Sequence, residues 1–453
     1  MSGNLTINGG YNGQPGVLSV PSAFPSTINN LLQTYLNGVG SAITSGTEAF
    51  LNYNIAAGTS VSASGTTGSY EAISNTDSTG ASTSGSGSYA ATVNAGVTDL
   101  VVQAPGDLTV TAADSTTFAL LGAQSNVNYS VSGGSGSIFA AGGNDSIYVG
   151  GDSVNQAVTS SGNDTVTFNG TNGLESVTAV GQATTNVYVG GSDNATVSAK
   201  GNSQVEVHFL NNAGGSLDFI NNSSQAATIF SGVYTTGGGT LSYAQGAVTA
   251  FGGSAGIFAV GGRGGFNSLN GGSGSSTLVG AGDGDTLVSG GAQNYLFGGA
   301  GTETLLGGGT NNSFAIGFQE PGIGAVTATG GLASAGGSGA QTFLLGNVVS
   351  TTLTGSTVTG AQNAYDVLGT FTTLGGQGET VSGGSFTITD FGGNSTINLL
   401  SPGASGLSVE TVGSAIGGGA TQILLTDGTV ITLNGVSTSQ VSVNASAGTI
   451  TYI

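Results

Sequence analysis

The sequence predicts an all-β chain: a β-solenoid with one N-terminal amphipathic helix and a C-terminal β cap. Three observations predict it. First, every ninth residue from Phe251 is apolar: Phe251, Val260, Leu269, Leu278, Leu287, Leu296, Leu305 and Phe314. A period of nine is too short for a domain and wrong for a helix face, but suits one short strand and one tight turn, repeated. Second, glycine pairs and small polar residues fill the intervals, as in GGSGSSTLV (271–279) and GAGDGDTLV (280–288). Glycine permits the positive φ angles such turns need. Third, only one segment has a clear helical period. The recurring apolar residue is expected to point inward and stack on its equivalents in the coils above and below.

In chain order, residues 1–60 read as an N-terminal segment, 61–375 as solenoid repeats and 376–453 as the cap. Asn8-Gly9-Gly10 and Asn12-Gly13 are turn signals. Ile28, Leu31, Leu32, Tyr35, Leu36 and Val39 then lie on one face of a 3.6-residue helix. Ser26 is its candidate N-cap, and Gly38 and Gly40 are candidate terminators. Such a helix suits a cover over the open edge of the first coil, or a contact for a neighbouring subunit. Segment 74–88 has the composition of a flexible linker, and equally of solenoid turns with small inward residues. From residue 89 to 250, strands rich in Val, Ile, Phe and Tyr recur every nine to eleven residues. Glu320-Pro321 breaks the period, because proline cannot donate to a central ladder. Near the end, Asp427-Gly428 between two apolar strands signals a hairpin.

The nonapeptides resemble the glycine-rich repeat of RTX-type secreted proteins, G-G-x-G-x-D-x-U-x with U a large apolar residue. Gly280-Ala281-Gly282-Asp283-Gly284-Asp285-Thr286-Leu287-Val288 is a close copy, with Ala281 in place of the second glycine. Gly142-Gly143-Asn144-Asp145-Ser146-Ile147 and Ser161-Gly162-Asn163-Asp164-Thr165-Val166 carry similar pieces. Residues 386–399 are similar to the segment that follows the repeats in that family, with a polar residue where a second aspartate is expected. The resemblance implies a parallel β-solenoid, or β-roll, in which two nonapeptides make one coil. It also implies calcium in the turns and export by a type I exporter that reads an uncleaved C-terminal signal. The corresponding metal candidates are Asp145, Asp164, Asp283, Asp285 and Glu303. Elsewhere the aspartate position holds Asn267, Ser276, Asn294 or Asn312, and calcium prefers six to eight oxygen ligands. The alternative for Asp283, Asp285 and Glu303 is a solvated turn residue.

Composition narrows function. Of 453 residues only 5% are charged, with 22 acidic against two basic side chains, Lys200 and Arg263, and a net charge of −20. Nucleic-acid binding needs cations against phosphate, and a basic membrane-binding patch needs them too; both are excluded. Mean hydropathy of +0.21 argues against disorder. No run is long enough to span a membrane. Residues 1–14 have neither the basic start nor the apolar core of a Sec signal. The absence of cysteine removes disulfides and thiolate metal sites.

A single histidine, His208, rules out a paired-histidine zinc site. In Gln204-Val205-Glu206-Val207-His208-Phe209 it shares a strand face with Glu206, as a surface pair would. No nucleophile elbow accompanies it, and no tryptophan is present to stack on sugars. A non-enzymatic role is expected. The favoured reading is a secreted structural protein that associates with copies of itself into an extracellular filament, biofilm matrix fibre or surface layer. The alternative is an adhesin or glycan-binding module for cell-surface polysaccharide. The sequence shows no periodic exposed aromatic row, and its Thr-x-Thr pairs read as scattered rather than ranked, against an ice-binding face.

Overall fold

The computed structural model describes residues 3–11, 14–54, 60–63, 69–74, 88–103, 106–122, 125–210, 213–234, 241–299, 301–317, 324–331, 339–346, 350–356, 358, 360–368, 384–400, 407–415 and 418–453. The Asn12-Gly13 turn, residues 75–87 of the linker-like segment and the Glu320-Pro321 break lie outside the described residues. The chain forms a parallel β-solenoid of about 13 turns with one helix near its N-terminus. Residues 1–225 and 226–453 are separate compact units. In each, successive strands alternate between two ladders, and a strand pairs in parallel with the strand two places on. One coil therefore gives one strand to each ladder. Alternate side chains of both ladders turn inward and are buried, the period of two expected of strands.

In the first unit one ladder includes Gly106–Thr111, Ser125–Val131 and Ser146–Asp152. The other includes Val97–Gln103, Phe118–Leu121, Ser135–Ala140 and Asn155–Ser160. The helix α1 (Ser26–Ser45) is longer than its caps suggested. Pro25, not Ser26, occupies the N-cap, and its carbonyl accepts the N–H groups of Ile28 and Asn29. Gly38 and Gly40 do not stop the helix. Packing of the apolar stripe outweighs their low propensity, and Ile43 extends that stripe onto the core. Gly46, at φ +76°, ends the helix in the left-handed conformation.

The helix lies along the outer side of the second ladder, where two outward rows are apolar except for Asp99: Tyr70–Asp99–Phe118 and Ala72–Val101–Leu120–Phe139. Tyr35 stacks on Phe118 at 4.5 Å, and Phe24 sets its edge on Phe139 at 6.0 Å. The Tyr35 hydroxyl donates to Asp99. The cover expected for an open edge thus protects a lateral sheet face.

In the second unit the nine-residue period is visible as 18-residue coils. Ser276–Val279, Gln293–Phe297 and Asn311–Ile316 stack in one ladder, and Ser268–Asn270, Thr286–Ser289 and Glu303–Gly307 in the other. Leu269, Leu278, Leu287, Leu296, Leu305 and Phe314 all point inward, none more than 1% exposed. Phe251 and Val260 do not belong to that row. Ala250 pairs with Leu269 and Ala259 with Leu278, 19 residues apart. One extra residue in that coil moves the neighbouring side chain to the other face, so Phe251 is 43% exposed. Gly309 shows why the turns need glycine: at φ +77°, a Cβ there would sit 1.7 Å from the Gly291 carbonyl oxygen of the coil before. The parallel ladders end in antiparallel pairing. Ala420–Leu425 and Val430–Asn434 form the hairpin through Asp427-Gly428, and Thr449–Tyr452 pairs antiparallel with Ser395–Leu400.

Candidate functional site

The five carboxylates predicted as metal ligands all stand at turns, yet only Asp283 is exposed. Asp145, Asp164, Asp285 and Glu303 are at most 2% exposed, so they are not solvated turn residues. Their partners are mostly backbone N–H groups. Asp285 Oδ1 accepts from the Asn267 amide N–H at 2.9 Å and its Nδ2 at 2.7 Å, and Oδ2 accepts from Ala281 and Gly282 N–H at 2.9 and 3.0 Å. Asp145 Oδ1 accepts from Val127 N–H at 2.8 Å, and the Asp145 N–H donates to Asp164 Oδ1 at 3.0 Å. Asp164 Oδ2 accepts from Ser160 Oγ at 2.7 Å and Gly162 N–H at 3.2 Å. Glu303 Oε1 accepts from Gly299 N–H at 2.5 Å, and Asp283 Oδ1 from Thr302 N–H at 2.6 Å.

The nineteen- and eighteen-residue spacings therefore do bring Asp145 to Asp164, and Asp285 to Glu303, in consecutive coils. Asp164 and Asp285 each accept from at least two N–H groups, which stabilise an anion, whereas Asp145, Asp283 and Glu303 each accept from one. Among the described residues no three His, Cys, Asp or Glu side chains gather as a metal group. What the residues do instead is close turns. Asp164, Asp285, Asn267 and Asn294 each bind their own turn and also the strand-start N–H of the preceding coil, a buried group that needs a partner. Asn267 does this for Val248 at 2.8 Å and Asn294 for Ser276 at 3.2 Å. Asn294 Nδ2 passes the chain on to Asn312 at 2.9 Å, and Asn312 Nδ2 to Gln341 at 2.8 Å.

Sequence reasoning missed Asp193, which is 1% exposed and accepts from Gly170 and Gly173 N–H at 2.5 and 3.0 Å. The signal was present, since Gly190-Gly191-Ser192-Asp193 repeats the pattern of Gly142-Gly143-Asn144-Asp145. Glu71 and Glu175 were missed too. Both are buried on strands, and no turn motif marks them.

Burial raises the proton affinity of several of these groups. Asp145 is pushed up to about 8, by burial first and the Asp164 charge second. Glu303 is also pushed up to about 8, mainly by burial, with the Gly299 N–H opposing. Burial takes Glu71 and Glu175 to about 7. Among the described residues Asp145 Oδ2 and Glu303 Oε2 have no hydrogen-bond partner, which suits a neutral carboxyl. A carboxyl with a raised folded-state value binds protons more tightly when folded, so stability falls as pH rises from about 4, the unfolded value, to about 8. The melting temperature is expected to be several degrees higher at pH 5 than at pH 8. Asp145→Asn should flatten that slope, which circular-dichroism melts across the range will show.

His208 pairs with Glu206 at 2.9 Å, as its strand pattern predicted, and its ring stacks on Tyr188 at 4.6 Å.

The outward faces of the second unit differ from each other. On the first ladder Val260, Val279, Phe297, Ala315 and Leu344 occupy one row on consecutive rungs. Phe258, Thr277, Tyr295 and Ser313 form the row beside it. On the second ladder the register is Thr249–Ser268–Thr286–Thr304–Thr327–Thr352–Thr387–Thr432, eight hydroxyls in one line. Thr329 and Thr354 begin a second line two residues along, and Thr354 shares a 2.7 Å hydrogen bond with Thr389. Three Thr-x-Thr pairs, 327/329, 352/354 and 387/389, stack on consecutive rungs rather than being scattered. Unequal spacing hid the rank: Thr304, Thr327, Thr352, Thr387 and Thr432 are 23, 25, 35 and 45 residues apart.

Comparison with protein-family models, curated proteins and solved structures gives no match to this chain.

Proposed function

We propose that this chain is a secreted, non-catalytic structural protein whose copies associate side by side into an extracellular filament, matrix fibre or surface layer. The observation that carries this reading is the apolar outer face of the second unit's first ladder. Val260, Val279, Phe297, Ala315 and Leu344 run along five rungs, and Asp366 follows on the sixth. Phe258 and Tyr295 beside them are 37% and 51% exposed. A flat apolar strip of this kind marks an association surface. Two such faces pack as two sheets do, about 10 Å apart. Asp366 lies beyond these five rungs, so the net charge of −20 does not fall within the apolar strip itself. Lack of cysteine and of basic residues suits a protein passed unfolded through a type I exporter and working outside the cell.

This reading does not require calcium, because Asp164 and Asp285 are held by N–H groups of their turns and of the preceding coil. Electron microscopy of the purified chain, with calcium or with chelator, is expected to show the same ordered assemblies. The double variant Val279→Lys/Phe297→Lys should leave folded single particles, since like charges then meet across the contact. Wild-type chains that stay monomeric at high concentration and bind cell-surface polysaccharide would replace this reading with an adhesin.

A further inference from the structure

We propose that the threonine-ranked face of the second unit binds ice. Two independent observations support a ligand there. The first is register. A row inherited from a simple repeat would keep a constant spacing, but this one stays in line through coils of 18, 23, 25, 35 and 45 residues. The second is that the hydroxyls are unused. Among the described residues, no hydrogen bond engages the hydroxyls of Thr286, Thr304, Thr327, Thr352 or Thr387. Threonines at coil corners differ: Thr116 donates to the Val97 carbonyl, Thr117 to Thr98 and Thr310 to Ala292.

The geometry selects the occupant. Rungs of a parallel ladder lie about 4.8 Å apart, and alternate residues on a strand about 6.6 Å apart. The hydroxyl-bearing residues therefore form a line about 34 Å long over eight rungs, doubled into a two-dimensional threonine grid on three of them by Thr329, Thr354 and Thr389, while Phe251, Asn270, Val288 and Leu306 flank the earlier rungs. Each hydroxyl can both donate and accept, and the methyls between them hold water in the intervening troughs rather than letting it bind at random. A grid of this kind is complementary to a partner that itself repeats in two directions, and the rung spacing is close to the oxygen repeat of hexagonal ice. No charged side chain stands in the row, so ionic ligands have nothing to bind. Within the row there is no aromatic ring for a sugar to stack on.

Ice-affinity partitioning of the full chain tests this. Wild type is expected to be enriched several-fold in the frozen fraction and to slow ice recrystallisation. Thr327→Lys/Thr352→Lys, on the grid, should be excluded from the ice while melting at the wild-type temperature. Thr159→Lys/Thr178→Lys, two outward threonines of the first unit, adds the same charge and should still partition into ice. Exclusion of wild type from ice, or equal partitioning of the grid variant, overturns the proposal. Exclusion from ice with retention on crystalline cellulose also overturns it, and assigns the face to polysaccharide. The apolar strip on the other ladder is a different surface, so failure to assemble leaves this result standing, and the reverse holds as well.

Discussion

Asp285→Ala is expected to destabilise the second unit by about 4 kcal/mol, because it strands several buried N–H groups at once. Orphaning one buried donor costs about 1–3 kcal/mol. Asp285 accepts from the Asn267, Ala281 and Gly282 backbones and from the Asn267 side chain. Asp285→Asn should fall between, since its Oδ1 can still serve Asn267 while its Nδ2 faces the Ala281 and Gly282 N–H groups. Denaturant melts of both variants measure the loss. A neutral Asp285→Ala would mean that the turn is held by something other than this carboxylate. Calcium titration of the same samples gives a separate readout, and no calcium-dependent shift in the melting of wild type is expected.

Leu296→Ala is the second large effect. Leu296 is fully buried and stands between Leu278 and Phe314 in adjacent rungs. Truncating a buried leucine costs about 2–5 kcal/mol, through lost transfer energy and the cavity left behind. The rungs on either side cannot collapse into that space without breaking their own ladder bonds, so the upper half of the range is expected. Ser313→Ala, outward on the next strand, should change stability by less than about 0.5 kcal/mol. Equal effects from the two substitutions would show that the inward row does not hold the coil together.

The solenoid was legible because one energetic requirement recurs at a fixed interval. Leucines at 269, 278, 287, 296 and 305 must all be hidden, and the chain can hide them only by coiling every 18 residues. The same rule misplaced Phe251 and Val260. A single added corner residue does not alter hydropathy, yet it inverts every side chain behind it. Turn carboxylates were legible as turn residues through their glycine pairs. Their burial and partners were not, because the N–H groups they serve lie a full coil away, on residues such as Val127 and Asn267. The threonine rank was illegible for the opposite reason. Its members sit in unlike contexts at unlike intervals, and only pairing in space aligns them.

The bonds from strand-start N–H groups to buried turn side chains run the same way. Val127 reaches forward to Asp145, Asp145 to Asp164, Val248 to Asn267 and Asn267 to Asp285. A nascent coil therefore remains incomplete until its successor arrives, and the newest rung is always the weakest. Truncation from the C-terminal side should then unravel the array one coil at a time, whereas loss of an early coil removes only donors whose acceptors survive. The antiparallel strands at the far end work as a ratchet stop, giving the last rung a finish that no further coil is required to supply.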